Sequence, residues 1–138
     1  MSVDVRWGVE NQVIQCTMWG DVTIEELREA IQQGAAMFEA SPYEAIHDVI
    51  IAHSLRSYPS LPQLLELRGF FRHPKFGWAV LISDDKIVNF FTTVIAAVNN
   101  RFRSFTALEQ GLTFLEDRDV RLPRPLQICS VLEIIQGE

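Results

Sequence analysis

Two short apolar runs limit the folds open to this chain. They are Val49-Ile50-Ile51-Ala52 and Trp78-Ala79-Val80-Leu81-Ile82. A continuous run this short, without polar alternation, suits a strand buried on both faces. Such strands belong to a largely parallel sheet with helices packed on each side. The first run sits within a strand over residues 47–55.

The start of the chain has a different period. Val3, Val5, Trp7 and Val9 alternate with Asp4, Arg6, Gly8 and Glu10, which marks a half-buried strand. Glu10-Asn11-Gln12 reads as a tight turn, because Asn tolerates the left-handed conformation. Residues 13–19 form a second strand and close a β-hairpin. Ile14, Cys16 and Met18 share one face, and Val13, Gln15, Thr17 and Trp19 the other.

Helical signals fill the gaps. Thr23-Ile24-Glu25-Glu26 is a capping box, with Val22 and Leu27 placed for a hydrophobic staple. The helix it opens runs over residues 24–40, with Ile24, Leu27, Ile31, Ala35 and Phe38 as its inner stripe, and Ser41-Pro42 stops it. Arg56-Ser57-Tyr58-Pro59 reads as loop, and Ser60-Leu61-Pro62-Gln63 as a second capping box. Ser83, Asp84 and Asp85 are N-cap candidates for a third helix over residues 86–100. Arg103-Ser104-Phe105 is a short strand. Thr106-Ala107-Leu108-Glu109 reads as a third capping box, opening a helix to residue 116. Over residues 126–135, Ile128, Val131, Leu132 and Ile135 fit a helix. The expected order is ββαβαβαβα plus a C-terminal helix. That is an α/β single domain over residues 1–138, with a mixed, mostly parallel sheet and flanking helices.

Composition narrows the classes of function. The chain is 48% hydrophobic and 22% charged, which suits a packed globular domain and excludes a disordered one. No apolar run reaches the roughly 18 residues of a membrane span. The opening residues lack a basic stretch followed by an apolar one, so no signal peptide is expected. Two cysteines are too few for a disulfide framework, and a cytoplasmic location is expected. The net charge of −6 argues against nucleic-acid binding. The bases cluster centrally, at Arg56, Arg68, Arg72, Lys75, Lys86, Arg101 and Arg103. They either form a local anion site or pair with the acidic first helix.

The order and spacing of these segments resemble the STAS-like fold in its SpoIIAA-like branch, which is related in fold to CRAL-TRIO lipid-transfer domains. The resemblance covers residues 13–117. It rests on the strand-Gly-capped-helix passage from Val13 to Thr23, the strands over residues 47–53 and 78–85, and Arg103-Ser104-Phe105 followed by Leu108-Glu109-Gln110-Gly111-Leu112-Thr113-Phe114-Leu115. It implies a non-enzymatic bacterial module that acts through protein contact, as a homodimer or with a protein partner. The chain departs from the anti-sigma antagonists at one place. Their Asp-Ser-Ser-Gly-type turn, where a serine is phosphorylated, corresponds here to Arg56-Ser57-Tyr58-Pro59-Ser60-Leu61-Pro62, which lacks the Asp and the Gly.

Candidate sites are few. Ser57 and Ser60 precede a helix N-terminus, where a phosphate or other anion would meet free N–H groups. The competing reading is a cap at Ser60 and loop at Ser57. Asp84 and Asp85 follow a parallel strand, where ligands bind in open α/β sheets. The competing reading is helix capping. His47, His53 and His73 are poor metal ligands, since His47 and His53 lie roughly 20 Å apart on an extended strand at ~3.3 Å per residue. Neither a Gly-x-Ser-x-Gly elbow nor a phosphate-cradling glycine motif occurs, so no enzyme, metal or cofactor is expected.

The third helix is the most unusual segment. Ile87, Val88, Phe90, Phe91, Val94, Ile95, Ala96, Ala97 and Val98 leave it apolar nearly all round. Three readings compete: cover by the C-terminal element, a homodimer interface, or the wall of a pocket for a small apolar molecule or lipid. The residues assigned to that interface or pocket are Ile87, Phe90, Phe91, Val94, Ile95 and Val98.

Overall fold

The computed structural model describes residues 2–98 and 101–137, apart from the side chains of Arg68, Phe71, Phe90, Thr92, Val94, Ile95, Ala97 and Val98. Strands β1 (Val3–Val9) and β2 (Val13–Asp21) form the expected hairpin. Asn11 turns it with a φ of 66°. Next come helix α1 (Ile24–Ala40), strand β3 (Ile46–Ser57), helix α2 (Leu61–Glu66) and a 3₁₀ turn (Arg68–Arg72). Strand β4 (Phe76–Ile82), helix α3 (Lys86–Val98), strand β5 (Phe102–Phe105), helix α4 (Leu108–Arg118) and helix α5 (Val131–Gln136) complete the order.

The five strands lie side by side in chain order. Only β1 and β2 are antiparallel; β2, β3, β4 and β5 run parallel. Parallel neighbours joined in sequence need a crossover helix each, and such crossovers are almost always right-handed. When the strand order never reverses, that rule sends every crossover to the same face. Accordingly Phe38 of α1, Phe70 of the 3₁₀ turn and Val88 of α3 pack with Ile14, Ala52, Ala79 and Leu81. The opposite face buries Val13, Val49, Ile51, Val80 and Ile82 under Leu115 of α4 and the tail residues Leu122 and Leu126. Period-2 alternation along β3 and β4 thus feeds two separate cores.

Local chemistry accounts for most boundaries. Thr23 Oγ1 accepts the Glu26 N–H at 3.2 Å, and Glu26 accepts the Thr23 N–H at 3.1 Å. Val22 and Leu27 pack together as a staple does. Lys75 Nζ donates to the carbonyls of Phe38 and Ser41, closing the C-terminal end of α1. The inner face of α1 is rotated slightly from the expected stripe: Ile24, Ala30, Gly34 and Phe38 are buried, whereas Ile31 and Ala35 are only half-buried. Gly34 there makes room for the Phe70 ring, whose Cζ would stand 3.1 Å from a Cβ.

Three segments differ from expectation. Strand β3 continues to Ser57, so Arg56 and Ser57 belong to a strand and not to a loop. A bulge at Ser54, with φ 50°, takes up the extra length beside β2. Helix α4 starts one residue later than a Thr106 cap would place it. Its N-cap is Ala107, which has no side-chain acceptor, and Gln110 alone accepts the Ala107 N–H. The C-terminal helix is shorter than residues 126–135. Residues 126–130 are extended, because Gln15 captures their backbone: its amide donates to the Cys129 carbonyl at 2.7 Å and accepts the Cys129 N–H at 3.0 Å. The tail also lies on the face opposite α3, so it is not what covers that helix.

Helix α4 reaches the sheet through Gly111. A Cβ there would stand 2.6 Å from Ile82 Cδ1 and 2.7 Å from Val80 Cγ1. Gly111→Ala should therefore lower stability by about 1–3 kcal/mol in urea denaturation, despite the better helix propensity of Ala. A stabilised variant would mean that α4 does not seat this closely.

Candidate functional site

Between the sheet and helices α1, α2 and α3 lies a cavity of about 150 Å³. Its floor is the sheet, at Ile14, Cys16, Asp48, Ile50 and Leu81. Helix α1 supplies Leu27, Ala30, Ile31 and Gly34, and α2 with its C-cap supplies Leu64 and Leu67. Val88 and Phe91 of α3 and the Tyr58-Pro59 segment complete it. Helix α2 has only six residues. It spans less of the sheet than its neighbours do, which leaves room beneath it.

Asp48 breaks the apolar lining. It is 5% exposed, and its Oδ1 has no hydrogen-bond partner among the described residues. Its cross-strand neighbours are Ile14 on β2 and Ala79 on β4. With no donor to stabilise the anion, burial pushes the carboxyl up to about 7. Cys16 lies nearby on β2. Burial, and then the Asp48 and Asp4 charges, push its thiol far above the usual cysteine range. Cys16 therefore stays protonated, and a buried thiol of this kind is not a nucleophile.

His47 is handled differently from its neighbour in sequence. Its side chain points to the other side of β3 and is fully partnered. Trp78 N–H donates to Nδ1 at 3.0 Å, so the proton sits on Nε2, which donates to Asp119 at 2.9 Å. Gly77 permits this approach, since a Cβ there would fall 2.5 Å from His47 Nδ1. Arg121 and then His47 hold the Asp119 carboxylate well below its ordinary range against an opposing burial effect. Burial outweighs Asp119 and lowers His47. The group ties the end of α4 to β3 and β4.

The residues singled out in the sequence spread along the ends of the strands. Ser57 donates to Asp21 Oδ1 at 2.9 Å, beside an Arg56–Asp21 ion pair at 3.1 Å. Ser60 is the N-cap of α2 and accepts the Gln63 N–H. Asp84 is exposed. Asp85 accepts the N–H groups of Ile87 and Val88 and so caps α3. Burial and then the Asp85 charge raise the Tyr58 phenol. Phe91 lines the cavity and meets Tyr58 edge-on, with ring centroids 5.9 Å apart. Ile87 is 56% exposed. The expectations at Phe90, Val94, Ile95 and Val98 fall on side chains outside the described residues. Three of the central bases have separate partners. Arg56 pairs with Asp21, Lys75 caps α1, and Arg103 stacks on Trp78. Asp48 was not singled out beforehand. Its signal is a carboxylate on the strand face that also carries Ile46, Ile50 and Ala52.

No family model and no curated protein matches the sequence. Solved structures do. An uncharacterised protein of the DUF3478 family from Shewanella loihica PV-4, described as having a SpoIIAA-like fold, superposes with a TM-score of 0.61. The match covers 83% of this chain and 92% of that one, at 13% sequence identity. The chain thus has the SpoIIAA-like fold of STAS-type modules, and at this identity the likeness concerns fold alone. No described helix is long and apolar enough to cross a membrane.

The Asp48 environment has a measurable consequence. In the unfolded chain this carboxyl ionises near pH 4, and in the native state near 7. The native, neutral carboxyl thus adds stability that is fully present below about pH 4 and is lost as pH rises through 7, about 4 kcal/mol in all. Asp48→Asn cannot ionise and should lack this slope. Between pH 5 and 8 its stability relative to wild type should rise by about 2–3 kcal/mol in urea titrations. Parallel profiles would mean that Asp48 is ionised and partnered in the native state.

Proposed function

We propose that this SpoIIAA-like module is a binding domain for a small apolar molecule, held between the sheet and helices α1, α2 and α3. The observation that carries this reading is the cavity of about 150 Å³. An apolar cavity near that size in another protein stays dry and admits benzene. The chemistry of the lining favours binding over catalysis. Cys16 is held as a thiol, and Asp48 Oδ1 has no hydrogen-bond partner among the described residues. Helix α3 supplies one wall through Val88 and Phe91, which gives its inner residues a use. The module works in a reducing cytoplasm, consistent with two free cysteines.

Protein contact is the second reading. It draws on Ile87, a large apolar side chain left 56% exposed in the first turn of α3. The two readings are compatible, since a guest against Val88 and Phe91 would bear on the helix that presents Ile87.

Toluene is a suitable first probe. At about 1 mM it should raise the melting temperature and shift the methyl NMR signals of Ile14 and Val88. Ala30→Phe, which fills the cavity from α1, should melt cooperatively and lose both responses. Absence of any methyl shift in the wild type would end the proposal.

A further inference from the structure

Resting on that reading, we infer that the cavity selects an apolar guest whose single polar group is a hydrogen-bond donor, an amine or a hydroxyl, and that Asp48 is the residue that selects it. Two observations meet here. The first is the cavity itself. The second is a carboxyl oxygen on its floor, buried and without a partner.

An unpartnered buried acceptor is costly, and strand interiors rarely keep one. The surroundings of Asp48 offer no relief. Ile14 and Ala79 flank it across the sheet, and Ile46 and Ile50 flank it along the same face of β3. Lys75 and Arg101 donate to backbone carbonyls elsewhere, to Phe38 and Ser41 and to Phe76. The other polar side chains of the lining are Cys16 and Tyr58. A thiol is a weak donor, and Tyr58 sits at the far end of β3, ten residues along the chain.

What Asp48 lacks is a donor, and a guest can bring one. An ammonium group would pair with the carboxylate, and a hydroxyl would donate to it. Above about pH 7, where Asp48 is ionised, a carboxylate guest would instead set a second anion beside it in an apolar setting. Fatty acids are thereby disfavoured, although their chains suit the walls. The volume fits a six-membered ring or a comparable aliphatic body.

Four probes with one ring and different heads test this: toluene, benzylamine, benzyl alcohol and benzoate, titrated by NMR into wild type and Asp48→Asn at about pH 8.5, where Asp48 is ionised and the amine still protonated. In the wild type, benzylamine and benzyl alcohol should bind at least about 10-fold tighter than toluene, and benzoate weaker than toluene. In Asp48→Asn benzylamine should lose most of its advantage over toluene, and benzoate its handicap. The asparagine variant is isosteric and removes a buried ionisable group, so its fold should persist, which cooperative urea unfolding checks separately. If toluene binds but the amine and alcohol bind no tighter, or if the amine keeps its advantage in Asp48→Asn, the inference is overturned. If toluene itself does not bind, the cavity reading falls with it.

Discussion

The handedness of the crossovers shapes this molecule more than any single contact. Once β2, β3, β4 and β5 are laid down parallel and in chain order, three connections must cross on one face. Three helices then compete to cover a sheet only five strands wide. Helix α1, with seventeen residues, covers its share, but α2, with six, does not. The hollow under α2 follows from that shortfall. The other face has no crossovers, and α4 and the tail are free to fill it closely.

The hollow acquires chemical character from one residue. Without Asp48 the cavity lining would be apolar apart from Cys16 and Tyr58. A carboxyl on the floor adds direction. It also burdens the empty protein, because the group carries an unmet hydrogen-bond capacity in a central strand. His47, one residue earlier, shows that this chain can satisfy buried polar groups fully where the fold requires it. The contrast lies between a His47 tied into the framework and an Asp48 whose Oδ1 has no partner among the described residues.

Much of the framework was legible in the residues themselves. The Asn11 turn, the Thr23–Glu26 box, the Ser60 cap and the doubly buried β3 and β4 all appear where local rules place them. These features depend on neighbours within a few positions. The misplaced features depend on distant ones. The spacing of Ile128, Val131, Leu132 and Ile135 is helical, yet Gln15, more than a hundred residues away, draws the first part of that segment into an extended form. Thr106 resembles a cap, but the chain leaving β5 enters its helix one residue later. The cavity was the least legible of all. It arises from side chains that do not reach one another, and no periodicity encodes a gap. Asp48 was hidden for a related reason, since one acid beside an apolar run reads as the border of a strand until its partners are known.

The Gln15 clasp has a mechanical consequence. A fully buried side-chain amide pairs with both the N–H and the carbonyl of Cys129, much as a neighbouring strand would. It pins the tail across the back of β2, and Ile128 closes over Gly8 beside it. One side of the sheet is thereby braced, while the other is roofed by a short helix and an apolar one. The sheet behind the cavity is then the stiffer wall, and the side of α2 and α3 is the one that no tail clasps.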